Sequence, residues 1–197
     1  LALAKGLTDD QAKALSREGK AVVLIDAGLH ATEVVNAQSH IQLIHEMLTR
    51  NDAETTRLLN DTIGLYVFAN PDGLDLVANW YMRPADKLKR DSNTIPVLYQ
   101  KYVGHDNNRD SFASNQPETT NMNRLAYRDW FPQILYNQHQ TGPVGTVVFI
   151  PPFRDPYNFN NEPLVINGTD AVGTAMHARL IAQGKAGSCL LYTSDAA

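Results

Sequence analysis

The chain has 197 residues, enough for one sizeable hydrophobic core, and we expect a single domain. Its 17 Lys and Arg against 21 Asp and Glu give a net charge of −4, which leaves no basic stripe for a polyanion and no polybasic patch for a membrane surface. No apolar run approaches the roughly 20 residues needed to cross a bilayer. We therefore expect neither a nucleic acid partner nor a membrane span.

The two ends of the chain have unusual features. The first residue is Leu1 rather than Met, so we expect the true start and any signal peptide to be missing. Residues 188–197, which include the only cysteine, resemble a translated sequencing adapter. We therefore predict a partial domain over residues 1–187 and a non-native tail over residues 188–197. The alternative for this tail is a genuine C-terminal strand.

Helices and strands are predicted to alternate along the chain. A polar, Ala-rich opening predicts a short helix, and the β-branched apolar run that follows predicts a buried strand. The predicted helices span residues 7–18, 33–48, 118–130 and 170–183, and the predicted strands span residues 21–25, 64–69, 133–137 and 146–150. This alternation favours an α/β sheet flanked by helices.

The alternation is interrupted after the second predicted strand. Residues 70–73 read Asn-Pro-Asp-Gly, a strong turn signal. Residues 74–116 are polar with few apolar runs, so we predict mostly irregular structure there, which in a compact domain is usually functional or disordered.

His40 and His45 fall in the helix predicted over residues 33–48, and we expect both at the surface or at the core boundary.

Three candidate metal ligands follow predicted strands. His30 and Glu33 lie three positions apart in the turn after the first strand, and His139 follows the strand predicted over residues 133–137. In open α/β sheets, ligands bind beyond the carboxyl ends of the strands. Two imidazoles and one carboxylate with an open fourth position form a catalytic zinc arrangement. A His-x-x-Glu pair alone is common by chance, but the joint placement favours one zinc ion.

Four motifs in order give the chain a specific resemblance. They are residues 28–33, the Asn-Pro-Asp-Gly turn at residues 70–73, the Gly-His-Asp-Asn-Asn-Arg segment at residues 104–109, and His139. Over about residues 20–186 the chain resembles the zinc carboxypeptidase family (carboxypeptidase A-like), above all its large bacterial secreted members with an Asn-Asn-Arg-Asp motif. The resemblance implies a three-layer α/β sandwich with a mixed central sheet flanked by helices.

The resemblance also implies roles for five residues. His30, Glu33 and His139 would bind one zinc ion, which polarises the scissile carbonyl and lowers the pKa of bound water to about 7. Asn108 and Arg109 would bind the free carboxylate at the substrate C-terminus, because a planar guanidinium pairs with two carboxylate oxygens at once.

Two further positions bear on catalysis and specificity. The same resemblance implies that Arg83, downstream of residues 70–73, is the candidate that stabilises the oxyanion. Asp110 stands where many relatives carry Asn. An acid beside a carboxylate clamp repels an ordinary C-terminus unless the acid pairs with Arg109 or with a cation of the substrate. This departure from the family therefore leaves the class of substrate undetermined. Three other basic residues compete with Arg83 for the oxyanion role: Lys87, Lys89 and Arg90.

The general base of the family, a Glu on a strand well beyond the zinc-binding His, has no counterpart that we can place. Glu162 lies too early and in a Pro- and Asn-rich loop. Loss of a general base typically costs about 10² to 10⁴-fold in rate. We therefore expect this chain to be a C-terminally truncated fragment that binds zinc weakly and hydrolyses almost nothing, whereas a complete version is a peptidase.

The leading hypothesis is a zinc metallocarboxypeptidase that acts on peptide or protein substrates with a free C-terminus. By resemblance alone, we expect it to be secreted or periplasmic. One alternative keeps the metal site but acts as an amidohydrolase on acylated amino acids or cell-wall peptides. The other is a non-catalytic module that binds peptide C-termini and does not need the metal.

Overall fold

The computed structural model describes residues 3, 5–92, 94–100, 104–140, 148–152, 157–185 and 188–190. Over these residues the α-helices are α1 (Asp9–Glu18), α2 (Val34–Thr49), α3 (Ala53–Asp61), α4 (Pro71–Tyr81), α5 (Pro117–Arg124) and α6 (Pro163–Ala182). The strands are β1 (Ala21–Ala27), β2 (Thr62–Phe68), β3 (Ile134–Asn137), β4 (Val148–Ile150) and β5 (Ser188–Leu190). The order of these elements confirms the predicted α/β class.

β1 is the middle strand of a parallel sheet ordered β2–β1–β3. It is the apolar run that predicted a buried strand, and Leu24 and Ala27 within it have no exposed surface. The register places Leu24 opposite Leu65 on one side and opposite Leu135 on the other. Every strand pairing among the described residues is parallel.

The chain forms two compact units, Leu1–Gln138 and His139–Ala197. The first unit contains α1 to α5 and the sheet β2–β1–β3. In the second unit, β4 and β5 pair in parallel, and β5 is formed by the first residues of the predicted tail. Residues 146–147 of the fourth predicted strand lie outside the described residues. The predicted domain boundary at residue 187 stays a prediction.

Two helices begin where the sequence predicted a turn or no element. The side-chain oxygen of Asn70 accepts a hydrogen bond from the amide of Gly73 at 2.8 Å, and Pro71 lies in the first turn of α4. Likewise Asp52 accepts from the amide of Thr55 at 3.0 Å and caps α3. A polar cap followed by a first-turn Pro is a helix start. The prediction of irregular structure directly after residue 73 is therefore wrong, since α4 continues to Tyr81.

α6 begins at Pro163, well before the predicted start at residue 170. The Glu162 carboxylate caps it and accepts from the amides of Leu164 at 2.6 Å and Val165 at 3.3 Å.

Across the described residues, no helix combines the length and the apolar character that a membrane crossing requires.

α2 places one histidine in the core. His40 has no exposed surface, and its ring centroid lies 5.8 Å from that of Tyr66 and 5.1 Å from that of Phe68, both on β2. The prediction of a surface or boundary position is therefore wrong for His40, whereas His45 is exposed. Burial lowers the pKa of His40, because the surrounding rings solvate an imidazolium poorly.

Candidate metal centre

The carboxyl ends of β1 and β3 lie side by side. Asp26 and Asn137 pair across the two strands, and the Asn137 side-chain amide donates to the Asp26 carboxylate. The amide of Gln138 donates to the backbone oxygen of Asp26 at 3.0 Å, which extends the pairing by one residue. Because both strands are parallel, the chain leaves them at the same edge of the sheet. The next residues are 28–33 after β1, here called the metal loop, and His139 after β3.

Two buried asparagines fix the metal loop from outside. The carbonyl of Leu29 accepts from the side-chain amides of Asn70 at 3.2 Å and Asn107 at 2.8 Å. Both asparagines have no exposed surface. Gly28 starts the loop with φ of +72°, and a Cβ there would come within 2.8 Å of the Leu74 side chain. The loop conformation is therefore set by contacts of the fold itself.

His30 lies between two carboxylates. Its Nδ1 is 2.9 Å from Glu33 Oε1, and its Nε2 is 2.8 Å from Asp106 Oδ1. The hydrogen bond to Glu33 raises the pKa of His30, burial opposes this, and the contact with Asp106 adds to the rise. The imidazole therefore has an acidic partner at each ring nitrogen.

The three predicted ligands come together. His30, Glu33 and His139 each offer one ligand atom, and these atoms all lie within 4.8 Å of one another. With metal–ligand bonds of about 2.1 Å, ligands around tetrahedral zinc lie roughly 3.4 Å apart. Two imidazoles and a carboxylate whose ligand atoms lie within 4.8 Å of one another have the chemistry to hold a zinc ion, with the side chains moving to reach that separation.

The predicted carboxylate clamp is joined to the metal loop through one side chain. Asn108 and Arg109 lie in a single 3-10 turn, and Asp106 caps it by accepting from the amide of Asn108 at 2.8 Å. The same carboxylate oxygen contacts His30. Arg109 is exposed, with its Nη1 donating to the carbonyl of Asn108 at 2.9 Å. One carboxylate oxygen of Asp106 therefore contacts both a predicted metal ligand and the turn that carries the predicted clamp.

Asp110 is directed into the protein, not toward the clamp. It has no exposed surface, and its carboxylate accepts from the amide of Gln116 at 2.8 Å and from the hydroxyl of Thr119. Burial alone would raise the pKa of Asp110, but these hydrogen bonds outweigh it and lower the pKa. The charge of Asp110 is therefore used to hold the start of α5.

Arg83 lies just after the end of α4. It is exposed, and its guanidinium carbon is 4.8 Å from the centroid of the Trp80 ring. Its competitor Arg90 lies 5.8 Å from the centroid of the Tyr81 ring and donates from Nε to the carbonyl of Pro84 at 3.2 Å. The oxyanion role of Arg83 stays a prediction.

Sequence reasoning gave no role to Asp106 or Asn36, both of which touch the ligands. Asp106 stands one residue before the Asn107–Arg109 turn, so a signal was present at the edge of a recognised motif. Asn36 stands three residues after Glu33, which places both on one side of the first turn of α2.

A protein-family model described as zinc carboxypeptidase matches residues 5–193, nearly the whole chain. Comparisons with curated proteins and with solved structures gave no match.

Proposed function

Because the chain belongs to the zinc carboxypeptidase family, we propose that the protein is a zinc-dependent metallocarboxypeptidase that cleaves C-terminal residues from peptide or protein substrates. The observation that supports this most directly is the proximity of the ligand atoms of His30, Glu33 and His139. Export of the protein, which only the resemblance implies, stays a prediction.

In this proposal, His30, Glu33 and His139 hold the ion and leave one position open. Bound zinc supplies a Lewis acid for the scissile carbonyl and lowers the pKa of water to about 7. Asp106 accepts a hydrogen bond from Nε2 of His30, which leaves Nδ1, the nitrogen beside Glu33, as the ligand atom. A carboxylate behind a metal-bound imidazole fixes its tautomer and its direction.

Asn108 and Arg109 bind the free carboxylate of the substrate in this proposal. The Arg109 side chain is exposed and lies one turn from the residue that supports His30. Asp110 does not oppose this role, because its charge is buried and accepts two hydrogen bonds from α5 and its cap. The site therefore suits an ordinary C-terminus with no added cation.

The general base stays unassigned. Glu162, the acid considered for it, holds the first amides of α6. We therefore expect zinc binding by this chain but a rate of peptide hydrolysis about 10² to 10⁴-fold below that of a chain with a base beside the metal.

The first prediction tests the metal site. The chain should bind one zinc ion, and His30→Ala or His139→Ala should lower the affinity steeply, because each removes a ligand atom. Isothermal titration of the metal-free chain with zinc gives the stoichiometry and the dissociation constant. His45→Ala is the matched control, since His45 is an exposed histidine on α2. Equal zinc affinity in all four proteins would contradict the proposal.

The zinc-loaded wild type, His30→Ala and a further variant, Arg109→Ala, test the substrate class. A short peptide with a free C-terminus should bind the zinc-loaded chain more tightly than the same peptide with a C-terminal amide, and Arg109→Ala should remove the difference. Preference for cell-wall peptides over ordinary peptides would support the amidohydrolase alternative instead. Peptide binding that persists in His30→Ala would support a non-catalytic module.

A further inference from the structure

We infer that Asn36 is a positioning residue of the metal centre, which holds both the Glu33 carboxylate and the peptide group through which the chain continues from β3 to His139. The inference rests on the proposed zinc site. It concerns a residue that neither the sequence motifs nor the proposed chemistry uses.

The side-chain amide of Asn36 joins the two ligand-bearing segments. Its Nδ2 donates to Glu33 Oε2 at 3.1 Å and to the backbone oxygen of Gln138 at 3.2 Å. The backbone amide of Asn36 also donates to the carbonyl of Glu33 at 3.2 Å. Asn36 is half-buried in the first turn of α2, so few other positions are open to its side chain.

The orientation of the Asn36 side-chain amide follows from its two acceptors, Glu33 Oε2 and the backbone oxygen of Gln138. An amide group has two N–H donors, and here each one meets an oxygen that only accepts. In the opposite orientation, Oδ1 of Asn36 would face a carboxylate oxygen and a carbonyl oxygen and would form neither bond. The contacts therefore define which end of the side chain faces the metal centre.

For Glu33 the consequence is a carboxylate held at both oxygens. Oε1 contacts Nδ1 of His30 at 2.9 Å, and Oε2 is held by Asn36. Rotation of the carboxylate about its last bond would break one of the two contacts. Asn36 therefore maintains the plane of Glu33 while the other oxygen faces the imidazole.

For His139 the consequence acts through the backbone. The oxygen of Gln138 belongs to the peptide bond that joins Gln138 to His139, and that bond is planar. The amide of Gln138 is held by the backbone oxygen of Asp26 at 3.0 Å. With both polar groups of Gln138 held, the plane of the peptide bond that leads into His139 is constrained. One side chain on α2 therefore joins the Glu33 carboxylate to the peptide group that precedes His139.

The test is zinc affinity in Asn36 variants. Asn36→Asp keeps the shape but replaces the donor with a carboxylate facing two acceptors, and Asn36→Leu removes the donor. We expect the dissociation constant for zinc, measured by competition with a chromophoric chelator, to rise about 10- to 100-fold in both. Asn36→Gln keeps the amide donor and should recover part of the loss. Gln42→Ala, an exposed position on α2, should bind zinc like the wild type.

A second readout separates positioning from stability. In the cobalt(II)-loaded chain, the visible absorption bands should shift in Asn36→Asp, because a displaced carboxylate changes the coordination geometry. A lowered melting temperature alone would not do this. Should Asn36→Asp fail to fold, Asn36→Leu and Asn36→Gln give the same comparison.

Unchanged zinc affinity and an unchanged cobalt spectrum in the folded Asn36 variants would overturn the inference. If His30→Ala still abolished zinc binding, the proposed function would survive that result. A wild-type chain that bound no zinc would instead overturn the proposed function, and the inference with it.

Discussion

Single buried polar residues determine how the candidate site is presented. Asn70 and Asn107 hold the carbonyl of Leu29 from two sides, and Asp110 holds the start of α5 behind the exposed Arg109. The three polar residues have no exposed surface. A buried polar group is costly unless it is hydrogen-bonded, so each of these contacts specifies one local conformation.

Asp110→Ala should destabilise the first unit. The change leaves the buried amide of Gln116 without its acceptor and leaves the hydroxyl of Thr119 with only the carbonyl of Gln116, at a cost of about 1–3 kcal/mol in the free energy of unfolding. Urea denaturation of the metal-free chain measures it. Asp129→Ala is the control: this carboxylate pairs with Arg124 at 3.2 Å on the surface, and its loss should cost less than about 1 kcal/mol. Equal costs would contradict the stabilising role of the buried hydrogen bonds to Asp110.

His40 should make the stability of the first unit depend on pH. In the unfolded chain His40 titrates near 6.5, and in the folded protein burial between the rings of Tyr66 and Phe68 lowers its pKa. As the pH falls through 6.5, the unfolded chain takes up the proton first, so the stability present above this pH is lost progressively. The wild type should therefore lose more stability than His40→Leu between about pH 7.5 and pH 5.5.

Urea midpoints for the two proteins at both pH values give the comparison. His30, whose pKa is raised, is present in both proteins, so its opposite effect cancels in the difference. His45→Leu, at an exposed position on the same helix, should keep the wild-type dependence. Parallel loss of stability in wild type and His40→Leu would contradict the prediction.

The three candidate ligands could be named from sequence, but their contacts with Asp106 and Asn36 could not. His30 and Glu33 form a local motif after an obvious strand, and His139 follows another. Asp106 and Asn36 act across 76 and 102 positions of the chain, on His30 and on Gln138 respectively. No local pattern reports such partners, because they depend on which strands and loops become neighbours.

At the scale of elements, helix starts account for most differences between prediction and structure. Asn70 and Glu162 cap α4 and α6, each followed directly by Pro in the first helical turn. Asn and Pro also favour turns, and Glu is not among the preferred cap residues, so local sequence did not identify either helix start. Glu33 is an exception: it occupies the cap position of α2 without a side-chain cap bond, because its carboxylate contacts His30 and Asn36.

The crossing of α6 near β4 supplies a prediction at this scale. A Cβ at Gly173 would lie 2.0 Å from the carbonyl oxygen of Pro151, which is backbone and has little freedom to move. Gly173→Ala should therefore destabilise the second unit by roughly 1–3 kcal/mol or more. Helix loss during urea denaturation, followed by circular dichroism, measures the change.

Gly168 provides the matched control on the same helix. It has no atom within 4 Å of an added Cβ, so Gly168→Ala should stabilise α6 by up to about 1 kcal/mol through helix propensity alone. If both alanines stabilised the protein alike, the close approach of Gly173 to Pro151 would be wrong.

At the scale of the whole molecule, the alternation of strands and helices predicted the α/β class, and the apolar β-branched run predicted the buried middle strand. The order β2–β1–β3 did not follow from sequence, since apolar runs of similar length give no indication of their neighbours. That order is nevertheless what brings the ends of β1 and β3 to the same edge.

The central place of β1 also determines when the candidate centre is assembled during folding. Asp26 and Asn137 meet across 111 positions, so β3 docks only after a long loop has closed. Contacts this distant along the chain form slowly compared with helices and tight turns. A nascent chain that has emerged only as far as α5 holds His30 and Glu33 but not His139. We therefore expect the three candidate ligands to come together only after β3 has paired with β1.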